Sequence, residues 1–179
     1  MKSDIIHLDN HSHGFREAVE QTALVAAYKK LSPQNTRRLQ ILAEEMLSML
    51  RSVTGEVEAS FWLEVEDDVF TLGVSTKTQM DKEKRYLLIS SSSARKNSAA
   101  NGFLGMLRDA FEEALTADAE RTYFELPADP SRSGLSGKAF DNDDWDGYER
   151  SILLKLADDV KIFIKGGNVT MTVKKRFAP

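Results

Sequence analysis

Three histidines, His7, His11 and His13, crowd the start of the chain with Asp9 between them. Imidazole nitrogens at that spacing beside a carboxylate are donors that a transition metal accepts. The same spacing fits a mobile, solvated N-terminal arm, and that is the expectation adopted. Asn142, Asp144, Asp146 and Gly147 reproduce the first half of a calcium loop. The twelfth position of such a loop needs a bidentate glutamate, and Leu153 stands there. Gly137-Lys138 suggests a phosphate loop, but Arg132 and Ala139 occupy the places where glycine and Ser or Thr are required. The run Ser90 to Ser93 offers hydroxyls for phosphorylation, although a short serine tract reads more simply as a linker. No Gly-x-Ser-x-Gly elbow occurs. The absence of cysteine removes disulfides, thiolate metal sites and cysteine nucleophiles together.

The elements that would position such residues follow from periodicity. Ile5 to Leu8 is a short apolar run, consistent with an opening strand. Phe15, Val19, Thr22, Val25 and Ala26 recur at helical spacing and predict a first helix over Phe15 to Leu31. Ser32-Pro33 starts a second helix, with serine as N-cap and proline at the first helical position. Leu39, Leu42, Ala43, Met46, Leu50 and Val53 give it one broad apolar stripe, and Gly55 stops it. Val57, Ala59, Phe61, Leu63 and Val65 alternate with polar residues, Trp62 being the exception on the polar face. Asp67-Asp68 turns that strand into Val69 to Val74, which predicts a hairpin.

Ser75 to Ser98 reads as a polar loop with a strand or short helix near Tyr86 to Ile89. Phe103, Leu104, Leu107, Phe111 and Leu115 then mark an amphipathic helix over Gly102 to Ala117. The acidic stretch up to Asp146 predicts a loop. A helix over Tyr148 to Ala157 follows, and then a closing hairpin that turns at Gly166-Gly167-Asn168. This order predicts an α+β two-layer sandwich, a mostly antiparallel sheet with helices on one face.

A length of 179 residues suits one domain, 1–179, with a variable insert at about 81–145. The net charge of −4 is mild, and the one basic cluster, Lys174 to Arg176, ends a strand. Nucleic acid is therefore not an expected partner. No apolar run approaches the roughly 18 residues of a membrane span, so neither a membrane nor export is expected.

Two segments resemble the ATP-binding domain of bacterial anti-sigma-factor serine kinases, within the GHKL (histidine-kinase-type) ATPase superfamily. RRLQILAEEMLSML, Arg37 to Leu50, is similar to the helix that carries that family's N box. YERSILLKLADDVKIFIKGGNVTMTVKKRF, Tyr148 to Phe177, looks like its closing helix and hairpin. The likeness covers about residues 5–80 and 145–177.

The resemblance implies a nucleotide site built on four positions of this chain: Glu45, Met49, Ser75 and Gly147. In the family a glutamate orients or deprotonates the attacking group, and here it is Glu45. The magnesium-holding asparagine is replaced by Met49, and a thioether is a poor ligand for a hard cation. The adenine-binding aspartate falls on Ser75, and the glycines after it fall on Lys77 and Gln79. Gly147 matches one glycine of the phosphate turn, while Glu149 replaces the other and would repel a triphosphate. The expectation is thus a cytoplasmic regulatory domain with a degenerate nucleotide site and no cofactor. Its implied partners are proteins such as a sigma factor or an anti-anti-sigma protein, and a homodimer is compatible with it. The alternative is an active serine kinase using ATP with Mg, with Glu45 catalytic. The helix at Gly102 to Ala117 is expected to cover the vacated cleft beside Glu45 and Met49.

Overall fold

The computed structural model describes residues 1–9, 13–55, 58–100 and 152–177. The elements, in order, are β1 (Ile6–Leu8), α1 (His13–Tyr28), α2 (Pro33–Thr54), β2 (Ala59–Glu66), β3 (Val69–Lys77), α3 (Lys82–Ser90), β4 (Asp159–Lys165) and β5 (Asn168–Arg176). The five strands form one sheet in the order β1-β2-β3-β5-β4, with every neighbouring pair antiparallel.

Strict alternation makes the sheet two-faced. Phe61, Leu63, Phe70, Leu72, Val74, Ile162, Met171 and Val173 are almost wholly buried. They join Leu39, Leu42, Met46, Leu50 of α2 and Ala18, Val25, Ala26 of α1 in one core. Side chains at the intervening positions, such as Ser60, Thr71, Thr170 and Thr172, turn to the other face and stay partly exposed. The fold is the expected α+β two-layer sandwich.

The local chemistry explains the element boundaries. Ser32 caps α2, its hydroxyl accepting from the Asn35 N–H at 3.2 Å, with Pro33 opening the helix. Gly55 at φ +78° ends it, its N–H reaching the Arg51 carbonyl. The closing hairpin turns on two residues, Gly166 and Gly167, both at positive φ, which is the backbone of a tight primed turn. Asn168 belongs to β5 instead of the turn. On the outer face Trp62 lies flat on Gly73, and any Cβ there would collide with the indole.

The opening strand expected at Ile5 to Leu8 is present as β1, while the described part of the expected mobile arm is held in place and His11 lies outside the described residues. The Met1 ammonium donates to the Val65 carbonyl, and the Ser3 N–H donates to that of Leu63. His7 lies in β1, paired with Ser60, and His13 begins α1. The apolar residues Ile6 and Leu8 decide this, because the core offers them burial worth roughly 1.5–3 kcal/mol each.

Asp158 clamps the start of β4 to the end of β5. Its carboxylate accepts from Lys175 Nζ at 2.6 Å and from the Arg176 N–H at 2.7 Å. Burial pushes its pKa up, but the Lys175 and Arg176 hydrogen bonds and both positive charges outweigh that and hold it below the ordinary value. A lowered folded pKa gives stability that is present above the unfolded carboxylate value and fades as pH falls through the folded one. Asp158→Asn should therefore lower the urea midpoint at pH 7, and the gap from wild type should close on acidification below the ordinary carboxylate range. An equal gap at pH 7 and pH 3 would remove the clamp from the account.

Candidate functional site

The positions singled out from the sequence begin on α2. Glu45 and Met49 are one turn apart on the same ridge. Met49 is 2% exposed and belongs to the core; Glu45 is half-buried at its border. Ser75 lies in β3, opposite Ser60 on one side and Thr170 on the other. Alternation places Phe70, Leu72 and Val74 on the helix-facing side, so Ser75 stands on the outer face of the sheet. There its hydroxyl meets that of Thr170 at 3.1 Å. The sheet thus separates Ser75 from the Glu45–Met49 turn. Gly147, and the helix expected over Gly102 to Ala117, lie outside the described residues.

The hollows follow the same division. One, of about 870 Å³, is lined by Lys29, Lys30, Ser32, Asn35, Asp67, Asp68, Phe70 and Phe177 among others, and by none of the candidate site residues. Ser75 borders a second, of about 500 Å³, at the sheet end with His7, Glu58 and Lys77. Among the described residues no cluster of His, Asp and Glu has the arrangement of a metal site.

The segment after β3, expected to be mostly loop, carries the most specific polar geometry. Asp81 caps α3, its carboxylate accepting from the Lys84 N–H at 2.8 Å. Arg85 and Leu88 are buried from α3. The serine run is an anchor, not a linker. Ser91 and Ser92 are buried, and the Ser90, Ser91 and Ser92 hydroxyls donate to carbonyls of the last turn of α3.

Beyond it, the chain runs along the outer edge of β4. The Ser93 N–H donates to the Val160 carbonyl, and the Ser93 hydroxyl accepts from the Val160 N–H at 2.7 Å. Asn97 takes both backbone groups of Ile164. Its Nδ2 donates to the carbonyl and its Oδ1 accepts from the N–H, each at 2.9 Å. The Ser98 N–H completes the strap on the Ile162 carbonyl. A free strand edge is a template for unwanted pairing, and here side-chain amide and hydroxyl groups satisfy it. Sequence reasoning missed this function of Ser93 and Asn97. A polar residue's partner 67 positions away leaves no periodic trace.

The fold and this edge define a two-layer α+β sandwich whose β4 edge is sealed by its own chain. Among solved structures, a chain in the crystal structure of the SiaB-SiaC complex from Pseudomonas aeruginosa is similar, with a TM-score of 0.52 and 11% identity over 98% of this chain and 91% of that one. The likeness is one of fold. No protein-family model matches the chain, and no curated protein does. Among the described residues no helix is long and apolar enough to cross a membrane.

Proposed function

We propose that the chain is a regulatory protein-binding domain, a partner-switching scaffold of the anti-sigma-factor kinase type whose nucleotide site has degenerated. The burial of Met49 carries this reading. The position where the resemblance requires a magnesium ligand is a thioether at 2% exposure inside the core. The Ser75 hydroxyl, at the adenine-recognition position, lies across the sheet and is engaged by Thr170. Support for a protein partner comes from the similar fold, which was crystallised as a complex of two proteins. A sigma factor or an anti-anti-sigma protein is the class of partner that the family resemblance implies. Glu45, still at the border of the helix stripe, supports the rival reading of an active ATP-dependent serine kinase.

Thermal unfolding with and without millimolar MgATP separates the two. A ligand that binds only the folded state raises the melting temperature, by about 2.7 kcal/mol of added stability at a hundred times its Kd. The expected result is no shift. A shift that requires magnesium, together with turnover abolished by Glu45→Ala, would establish the kinase instead.

A further inference from the structure

The fold gathers basic residues that lie far apart in the sequence. On the outer face of the sheet β4 presents Lys161, Phe163 and Lys165, because Val160, Ile162 and Ile164 point into the core. Both lysines are exposed, and the Phe163 ring between them is half-buried. Lys174 is exposed on the same face of β5, paired in register with Asp159. Arg95 and Lys96 are exposed on the strap beside β4. Thr170 and Thr172, opposite Phe163 and Lys161, floor the patch with hydroxyls. The described helices bury their apolar side chains in the core on the other side, so among the described residues no helix covers this face.

This positive charge is only partly offset. The carboxylates at the start of β4, Asp158 and Asp159, are each taken by a lysine, Lys175 at 2.6 Å and Lys161 at 3.5 Å. No carboxylate among the described residues pairs with Lys165, Lys174, Arg95 or Lys96. The chain as a whole nevertheless carries −4. Lysines on an edge strand ordinarily guard it against unwanted pairing. Here the strap already satisfies the backbone of Val160, Ile162 and Ile164, so guarding does not explain them. Lys77, farther across the face, lies with Asp9 and Glu58 in the hollow at the sheet end and is no part of the patch.

We propose that this face of β4 and β5 docks a short acidic segment of a protein partner, with an apolar residue of that segment resting on Phe163. The inference rests on the reading of the chain as a protein-binding domain and gives that domain its docking surface. Charge complementarity selects an acidic occupant. Alternate side chains of an extended segment stand about 7 Å apart, which is also the spacing of Lys161, Phe163 and Lys165 along their strand. A nucleic acid would carry its charge beyond the patch onto a chain of net charge −4, whereas a short segment does not. It also needs a row of stacking platforms. Trp62, farther across the same face, lies on Gly73 with Lys2 Nζ 5.8 Å from its ring, so Phe163 has no open aromatic neighbour among the described residues of this face.

Fluorescence anisotropy of a labelled Glu-Glu-Leu-Glu-Glu-Leu-Glu-Glu peptide titrated with the full chain is the test. Binding is expected at about 50 mM salt and should be lost by about 300 mM, because exposed charges are screened. Lys96→Glu/Lys165→Glu should weaken it at least about tenfold, and Phe163→Ser by less. Both lysines are exposed, so the urea midpoint of that double variant should match wild type's. Lys30→Glu/Arg38→Glu makes the same change of charge on the helix layer and should leave binding intact. No binding at about 50 mM salt overturns the proposal, as does equal weakening by the two double variants. An oligothymidylate of the same charge that binds more tightly than the peptide assigns the face to nucleic acid and overturns it too. A magnesium-dependent shift with ATP would remove the degenerate-site reading, whereas absent peptide binding without such a shift removes only this docking surface.

Discussion

Asn97→Ala is expected to destabilise the protein by about 2–4 kcal/mol, because it strands two backbone groups at once. The side chain is 4% exposed and answers both the N–H and the carbonyl of Ile164 at 2.9 Å. Removing it leaves a buried donor and a buried acceptor unpaired, at about 1–3 kcal/mol each, with no apolar gain in return. For a chain of this size that is a fall of roughly 5–15 °C in melting temperature. Asn97→Asp should not rescue it, since a carboxylate oxygen would face the Ile164 carbonyl where an amide now donates. Ser93→Ala, which loses one side-chain bond to Val160, should cost less. Urea unfolding of the three variants gives the ranking, and an Asn97→Ala loss below about 0.5 kcal/mol would mean that water serves the β4 edge as well as the strap does.

The second large effect is expected at Met49. Met49→Asn installs the residue type that the family resemblance requires for magnesium, and on sequence grounds alone it is a repair. The tertiary structure predicts the opposite. At 2% exposure the site is surrounded by core, and an amide there brings a carbonyl and two N–H donors into apolar surroundings. The lost methionine packing and the desolvated amide together should cost about 3–5 kcal/mol. The variant should show a clearly lower urea midpoint and no magnesium-dependent gain in stability when ATP is added. A stable Met49→Asn protein that acquires such a gain would show that one residue separates this chain from a working nucleotide site, and the degenerate reading would fall.

Much of the architecture was legible because it is written in local, repetitive signals. The stripe Leu39, Leu42, Ala43, Met46, Leu50 and Val53 specifies α2 by period alone, and Ser32, Pro33 and Gly55 mark its ends through backbone chemistry that needs no distant partner. Alternation in Ala59–Glu66 and Val69–Lys77 does the same for the central hairpin. A hydrophobic pattern also implies that its face is buried against something, which is enough to infer two layers.

What the tertiary structure alone decided are pairings across long separations. The opening strand was legible in its own apolar run, but only the fold settled that it pairs with β2, which sets His7 opposite Ser60. The parity of β3 set Ser75 on the outer face beside Thr170, away from Glu45 and Met49, although alignment by motif groups all three. The serines from Ser90 to Ser93 look like a linker in sequence, yet two of them are buried and Ser93 serves a strand 67 residues on. Hydrogen bonding explains the difference. Apolar burial is non-directional and leaves a period along the chain, whereas a hydrogen bond is a single directed contact whose partner is settled only when the strands have found their places.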